Sequence, residues 1–167
     1  MGLTYDASAA RPELHAYSDS NWTTEHSTSG WAIMYCGAAI GYGSKRQQSV
    51  ALSSTEAEIM AASLAATEIL YFRGILSELG HQLPPTILYV DNQGAVELSK
   101  DMKSCQRSRH IERRYLKVRE LVAQGEVVVK FIESTANHSD ILTKPLDSDA
   151  FRRHSGALMG TMDAAIP

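Results

Sequence analysis

The sequence predicts an α/β domain on a mixed five-stranded sheet, three antiparallel strands and then two parallel ones, flanked by helices. Three observations carry this. "GWAIMYCGAAIGYGSK" reads as two strands joined by a tight turn at Gly37, a hairpin. A long helical pattern opens at Ser53 on a capping box, with Glu56 three residues on. Beyond it, strand-like runs alternate with helical ones, and strands separated by helices pair in parallel.

The elements follow in order. Leu14 to Asp19 alternates weakly, as a short strand does, and "SNWTTEHSTSG" is a loop by its turn residues. After the hairpin, "RQQSV" either finishes the third strand or forms a loop. The helix from Ser53 runs to about Leu79 and stops at Gly80. "TILYVD" is short and nearly all apolar, as in a strand covered on both faces. "NQGAVELSK" is a short helix. "SRHIERRYLKVRELVAQG" is an amphipathic helix ending at Gly125, with Ile111, Tyr115, Val118 and Val122 on one side. "EVVVKFIES" is the fifth strand. "NHSDILTK" is a helical turn or two, broken before Pro145. From Asp147 comes another helix and then a small-residue tail.

A chain of 167 residues can bury about 70% of its unfolded surface as one domain. No apolar run reaches the roughly 20 residues of a membrane span, and no membrane partner is expected. The N-terminus lacks the basic start and apolar core of a signal peptide. Its "MG" reads as the start of a domain cut from a longer chain. Cys36 and Cys105 are too few for a disulfide framework; Cys36, in a strand pattern, is expected in the core.

Charge is uneven. Lys103 to Arg119 holds seven Lys or Arg, among them Arg107 and Arg109, against the single acid Glu112. That stretch carries about +6 and leaves the remainder at about −9. A basic segment beside an acidic body fits a polyanion partner held near an acidic site, or simply a solvated helix face.

Four carboxylates stand where a fold wants apolar residues or turns: Asp19, Glu58, Asp91 and Asp140. At 100° per residue, Ala62, Ala65, Ile69, Phe72 and Leu76 lie within about 40° of Glu58, on the core stripe. Glu56 lies about 160° away, grouped with Ser63, Thr67, Gly74 and Glu78. Glu56 therefore has a sufficient role as a capping acid, and Glu58 has no structural one. Asp91 ends a buried strand, where α/β sheets open onto their ligands, or else it caps the helix at Gln93. Asp19 is a strand-end acid, and Asp140 sits in a first helical turn. Carboxylates brought this close repel unless a cation lies among them, and hard oxygen ligands select Mg²⁺ or Mn²⁺. Ser53, Ser54 and Thr55, at a helix N-terminus, suit a phosphate or ribose contact.

Six segments, "YSDSNW", "STSGWAI", "SKRQQSVALSSTEAEIMA", "YVDNQGA", "RHIERRYLKVRE" and "DILTKPL", resemble in order the ribonuclease H domain of Ty1/copia-type retrotransposon polyproteins. The resemblance covers about residues 14–146, with an extension over 1–13 and a C-terminal helix and tail over 147–167. It implies an RNase H-like fold and a Mg²⁺-dependent endonuclease, Mn²⁺ substituting, that cleaves the RNA strand of RNA–DNA hybrids. It implies a reverse transcriptase domain in the same polyprotein and a cytoplasmic location in the virus-like particle of the parent element. A monomer is expected of the isolated domain.

Carried over by motif, the resemblance implies that Asp19 would bridge two metal ions, with Glu58 and Asp91 completing one site and Asp140 the other. Gln93, within "VDNQ" beside Asn92, matches a glutamine near the hybrid's minor groove. Ser53 to Thr55, Asn92, Gln93, Arg107 and Arg109 form the expected substrate-binding set. Many relatives carry a histidine between the last strand and the final acid, thought to aid product release. Here the loop is short, and His138 is either that counterpart or a solvated loop histidine. His110 has no assigned role. Trp31 belongs to a strand core; Trp22, beside Asp19, is open to packing or stacking. Two other readings compete: a catalytically silent nucleic-acid-binding scaffold of the same fold, and a DNA strand-transferase of the same superfold.

Overall fold

The computed structural model of the protein describes residues 2–6, 13–100 and 109–161, without the side chains of residues 100 and 109–115. The chain runs β1 (His15–Asn21), β2 (Thr28–Tyr35), β3 (Ala38–Arg46), α1 (Ser54–Glu78), β4 (Thr86–Val90), α2 (Gln93–Lys100), α3 (Arg109–Ala123) and β5 (Val127–Phe131). Two 3₁₀ turns, Ser134–Ala136 and Asp140–Leu142, lead to α4 (Ser148–Met159).

The strands form one sheet in the order β3-β2-β1-β4-β5. β1, β2 and β3 are antiparallel neighbours, while β4 pairs parallel with both β1 and β5. The hairpin turn is two residues long, with Cys36 at φ 52° and Gly37 at φ 81°. Two successive left-handed residues match the right-handed twist of the flanking strands. Cys36 is thereby corrected from core residue to half-buried turn residue. β3 ends at Arg46, which makes "QQSV" a loop.

α1 opens as its sequence predicts. The Ser53 side chain accepts from Glu56 N, and the Glu56 carboxylate accepts from Leu52 N at 2.9 Å. At the other end, His81 N donates to Leu76 O, and Gly80 takes φ 88°. α1 packs against β1, β2 and β4 and also against α2 and α3. Its first turns are therefore buried on every side, from Ala57 to Ser63. That corrects the grouping of Ser63 with a polar stripe; Thr67 and Gly74 do face solvent. α1 is also 25 residues long and apolar enough to cross a membrane by length and composition, contrary to expectation. Half of its most apolar window is buried in this domain.

One sheet face makes the main core with α1, α2 and α3, through Ala16, Ile33, Leu88, Val90, Ile69, Val96, Val118 and Leu121. Of the face expected on α3, Val118 is buried and Val122 packs against that core; Ile111 and Tyr115 lie outside the described side chains. The opposite face buries Tyr17, Ala32, Met34 and Tyr89 beneath Leu142 and Leu158. Residues 2–6 join that layer: Thr4 N donates to Met159 O at 2.8 Å, and Asp6 N to Cys36 O at 2.8 Å. Cys105 and the tail after Thr161 lie outside the described residues.

Candidate metal centre

Sheet register gathers the acids. The last parallel pair between β1 and β4 is Ser18 with Val90. Asp19 and Asp91 come next on two adjacent strands, both at the C-terminal end of the parallel pair. Glu58 reaches them from the second turn of α1, held by Ser20, whose N–H and hydroxyl donate to Glu58 Oε1 at 2.9 and 2.7 Å. Oxygens of Asp19, Glu58 and Asp91 all lie within 4.8 Å of one another. Asp19 and Glu58 are only 3% and 5% exposed, so neither charge is relieved by bulk water.

Asp91 is free for this because its neighbour makes the cap. Asn92 Oδ1 accepts from Ala95 N at 3.0 Å, at the start of α2. The capping alternative thus falls to Asn92.

The fourth acid is placed differently. Asp140 is buried, in its 3₁₀ turn, but lies outside the three-carboxylate group. Its Oδ1 is 2.7 Å from Lys144 Nζ. Next to that pair, the Thr143 hydroxyl donates to Asp19 Oδ2. Gly30, opposite Asp19 across the β1–β2 ladder, admits this turn. A Cβ there would lie 2.7 Å from Thr143 Cγ2 and 2.9 Å from Leu142 Cβ. Asn137, fully buried, ties the same loop to β1: its Nδ2 donates to Ser18 O at 2.9 Å, and its Oδ1 accepts from Ser139 N and Oγ. The sequence reading missed Thr143, Lys144, Asn137 and Gly30. Only the spacing Asn-x-Ser, an Asx-turn signal, hinted at one of them.

The electrostatics are those of crowded anions. Burial chiefly, then the charges of Asp19 and Asp91, push Glu58 up to about 8, against the two Ser20 hydrogen bonds. Burial likewise raises Asp19 to about 6; the Thr143 hydrogen bond opposes this, and Asp140 and Asp91 add to it. Asp91 is raised by burial and by Asp140, with a Ser134 hydrogen bond and Lys144 opposing. Burial works against the Lys144 ammonium, but the contact with Asp140 and the charges of Asp19 and Asp91 outweigh it and raise its pKa.

A divalent ion fits this donor set on two observations. The three converging groups are hard oxygens, and Glu58 Oε2 is buried with no hydrogen-bond partner among the described residues. An orphaned buried carboxylate oxygen costs free energy that coordination would recover.

Of the expected substrate residues, Thr55 Oγ1 lies 3.4 Å from Asn92 Oδ1, which brings the N-termini of α1 and α2 together at one rim. Ser53, Ser54 and Gln93 are exposed along it. Arg107 and the side chain of Arg109 lie outside the described residues, as does that of His110. His138 is half-buried rather than solvated. Its Nδ1 is 3.1 Å from His154 Nδ1, and its ring stands edge-on to Tyr17 at 4.9 Å. Burial, with His154 and His15 adding, lowers it to about 4. Trp31 packs over Gly41 and Gly43 against the core. Trp22 is 43% exposed, with its Nε1 donating to Ala51 O at 3.1 Å.

A five-stranded sheet in this order, with carboxylates at the ends of its central parallel pair, defines an RNase H-like domain with a candidate nuclease-type metal site. Solved structures agree on the fold. LC11-RNase H1 in complex with RNA/DNA hybrid, 13% identical, superposes with TM-score 0.62 over 78% of this chain and 94% of that one. No protein-family model matches the chain. Among curated proteins, the Retrovirus-related Pol polyprotein from transposon TNT 1-94 of Nicotiana tabacum is 35% identical over 144 residues, 84% of this chain and 11% of its own length. That from transposon RE2 of Arabidopsis thaliana is 35% identical over 147 residues, 85% of this chain and 10% of its length. The chain thus spans about a tenth of these relatives. It is an RNase H-fold domain related to the Pol polyproteins of Ty1/copia-type retrotransposons.

Proposed function

We propose that the protein is a metal-dependent endoribonuclease that hydrolyses the RNA strand of RNA–DNA hybrids during retrotransposon reverse transcription. The observation that carries this is the convergence of Asp19, Glu58 and Asp91 within 4.8 Å, with one Glu58 oxygen unpartnered. Two Mg²⁺ ions, or Mn²⁺ in their place, are the proposed cofactors. Asp19, Glu58 and Asp91 would hold one, and Asp19 with Asp140 the other. When bound, such ions supply Lewis acidity toward an attacking water and a leaving oxygen of the phosphodiester.

The chain's own residues set the geometry. Ser20 fixes Glu58, and Thr143 fixes Asp19. The rim of Ser53, Ser54, Thr55, Asn92 and Gln93 is the proposed track for the hybrid, where hydroxyl and amide groups can read 2′-hydroxyls. Arg107 and Arg109 would add affinity through counter-ion release. Support for a hybrid substrate comes from LC11-RNase H1, which shares the fold and was solved in complex with an RNA/DNA hybrid. The Pol relatives support a polyprotein context; a reverse transcriptase domain of the same polyprotein is the proposed working partner, and the cytoplasmic virus-like particle of the parent element the proposed location.

A gel assay tests this. RNA–DNA hybrid, RNA duplex and DNA duplex are incubated with and without Mg²⁺. Cleavage of the hybrid's RNA strand alone, dependent on Mg²⁺ and lost in Asp91→Asn while hybrid binding persists, is the expected result. Binding without cleavage in both Mg²⁺ and Mn²⁺ overturns it in favour of a silent scaffold.

A further inference from the structure

The acidic centre contains a cation of its own. Lys144 Nζ lies 2.7 Å from Asp140 Oδ1, and the Asp140 side chain is 10% exposed. The backbone fixes where the lysine starts. Thr143 N and Lys144 N both donate to Asp140 O, at 3.1 and 3.3 Å. The Thr143 hydroxyl donates to Asp19, and its oxygen lies 3.0 Å from Asp140 O. Residues 140–144 are thus rooted beside the acids, and only the aliphatic stem of Lys144 is left to move. The stem remains partly in solvent, since the side chain is 39% exposed.

An ammonium on a flexible four-carbon stem is a compact charge that can be withdrawn, unlike a planar guanidinium locked in a fork. Asp140 is also the one acid of the four outside the converging group. Lys144 and a divalent ion compete for the same oxygen, because an ammonium has donors only and cannot share a coordination sphere.

We propose that Lys144 is a tethered counter-ion, holding the Asp140 side of the centre until a divalent ion claims that carboxylate and displaces it. This rests on the reading of the four acids as a metal centre. In that role Lys144 lowers anion repulsion in the metal-free protein and sets a threshold for loading of the second ion. It touches no reacting atom; it is a positioning residue for Asp140.

The test compares wild type with Lys144→Met and Lys144→Gln, and with Lys130→Met, which removes the same charge from exposed Lys130 on β5. Two quantities are read: Mn²⁺ binding by titration calorimetry, and melting temperature in EDTA. Loss of the Lys144 charge is expected to tighten Mn²⁺ binding about three- to tenfold and to lower melting in EDTA, as for a partly buried charge pair. Lys130→Met is expected to match wild type in both. Lys144 variants that bind Mn²⁺ no more tightly than Lys130→Met overturn the proposal while leaving the metal reading intact. Failure of every protein, wild type included, to bind Mn²⁺ overturns the metal reading and the displacement with it. Unchanged melting of the Lys144 variants in EDTA overturns the counter-ion role by itself.

Discussion

Replacing Glu58 by Gln is expected to stabilise the metal-free protein at alkaline pH. Gln keeps the size of Glu58 and an oxygen to accept from Ser20 N and Oγ. Its Nε2 takes the place of the orphaned Oε2 and brings no negative charge toward Asp19 and Asp91. Glu58 has its pKa raised on folding from 4.5 to about 8. A raised carboxyl favours the fold in its protonated form. That contribution is complete below pH 4.5 and is lost as pH climbs through about 8. The shift corresponds to an upper bound of about 4–5 kcal/mol. Sharing of protons among Asp19, Glu58 and Asp91 reduces what one substitution recovers, to about 2 kcal/mol. For a domain of this size that is about 4–8 °C in melting temperature. The assay is thermal melting in EDTA at pH 4, 6 and 8. Wild type and Glu58→Gln should coincide at pH 4, and the variant should lead increasingly by pH 8. With saturating Mg²⁺ the order should reverse, since wild type gains from a ligand that binds only the folded state. A variant that is no more stable at pH 8 in EDTA, or a difference independent of pH, would refute the reasoning.

Three further outcomes follow, two of them from the loop that carries Asp140. Gly30→Ala places a methyl group against Thr143, Leu142 and Ser139 O, at 2.7–3.0 Å; urea melts should show a loss of about 1–3 kcal/mol. Hybrid cleavage should fall with it, because Thr143 is pushed off Asp19. Gly74→Ala, where a Cβ meets nothing within 4 Å, should instead stabilise by about 0.5–1 kcal/mol and leave cleavage alone. His138 has its pKa lowered from 6.5 to about 4, so its contribution is present above pH 6.5 and lost as pH falls through about 4. His138→Phe keeps a ring against Tyr17, and its urea midpoint should decline less than that of wild type between pH 6.5 and 4. An equal decline would mean that His138 is not the group protonated.

The fold was legible because each element carried its own local signal. A two-residue turn, a capping box and a short apolar run each fix an element without reference to the rest of the chain. Glu58 was legible for a related reason: a carboxylate on the apolar stripe of a helix contradicts its surroundings. The same periodicity misplaced Ser63. Angular position says which face a residue shares, not how many neighbours surround the helix, and α1 is enclosed on both sides in its first turns. The pattern of Cys36 likewise could not show that strand gives way to turn at that residue, since apolar residues flank it on both sides.

The site divides along a similar line. Asp19 and Asp91 could be read because the ends of adjacent parallel strands are brought together by the sheet itself. Whether Asp91 was a cap could not be settled, because Asn92 caps equally well and helix boundaries shift by a residue. Thr143 and Asp19 are 124 residues apart, and their contact depends on Gly30 opening a space from the neighbouring strand β2. No local spacing encodes that. The segment "DILTK" therefore looks, as sequence, like an acid followed by filler. In three dimensions its acid, hydroxyl and ammonium act on one cluster from one side: Asp140 adds charge, Thr143 orients Asp19, and Lys144 offsets the excess. A cluster of buried carboxylates needs such a device in proportion to its burial. If Asp19 and Glu58 were solvent-exposed, water would screen them; at 3% and 5% exposure, relief comes from a bound proton, from a charge on the chain or from a bound ion.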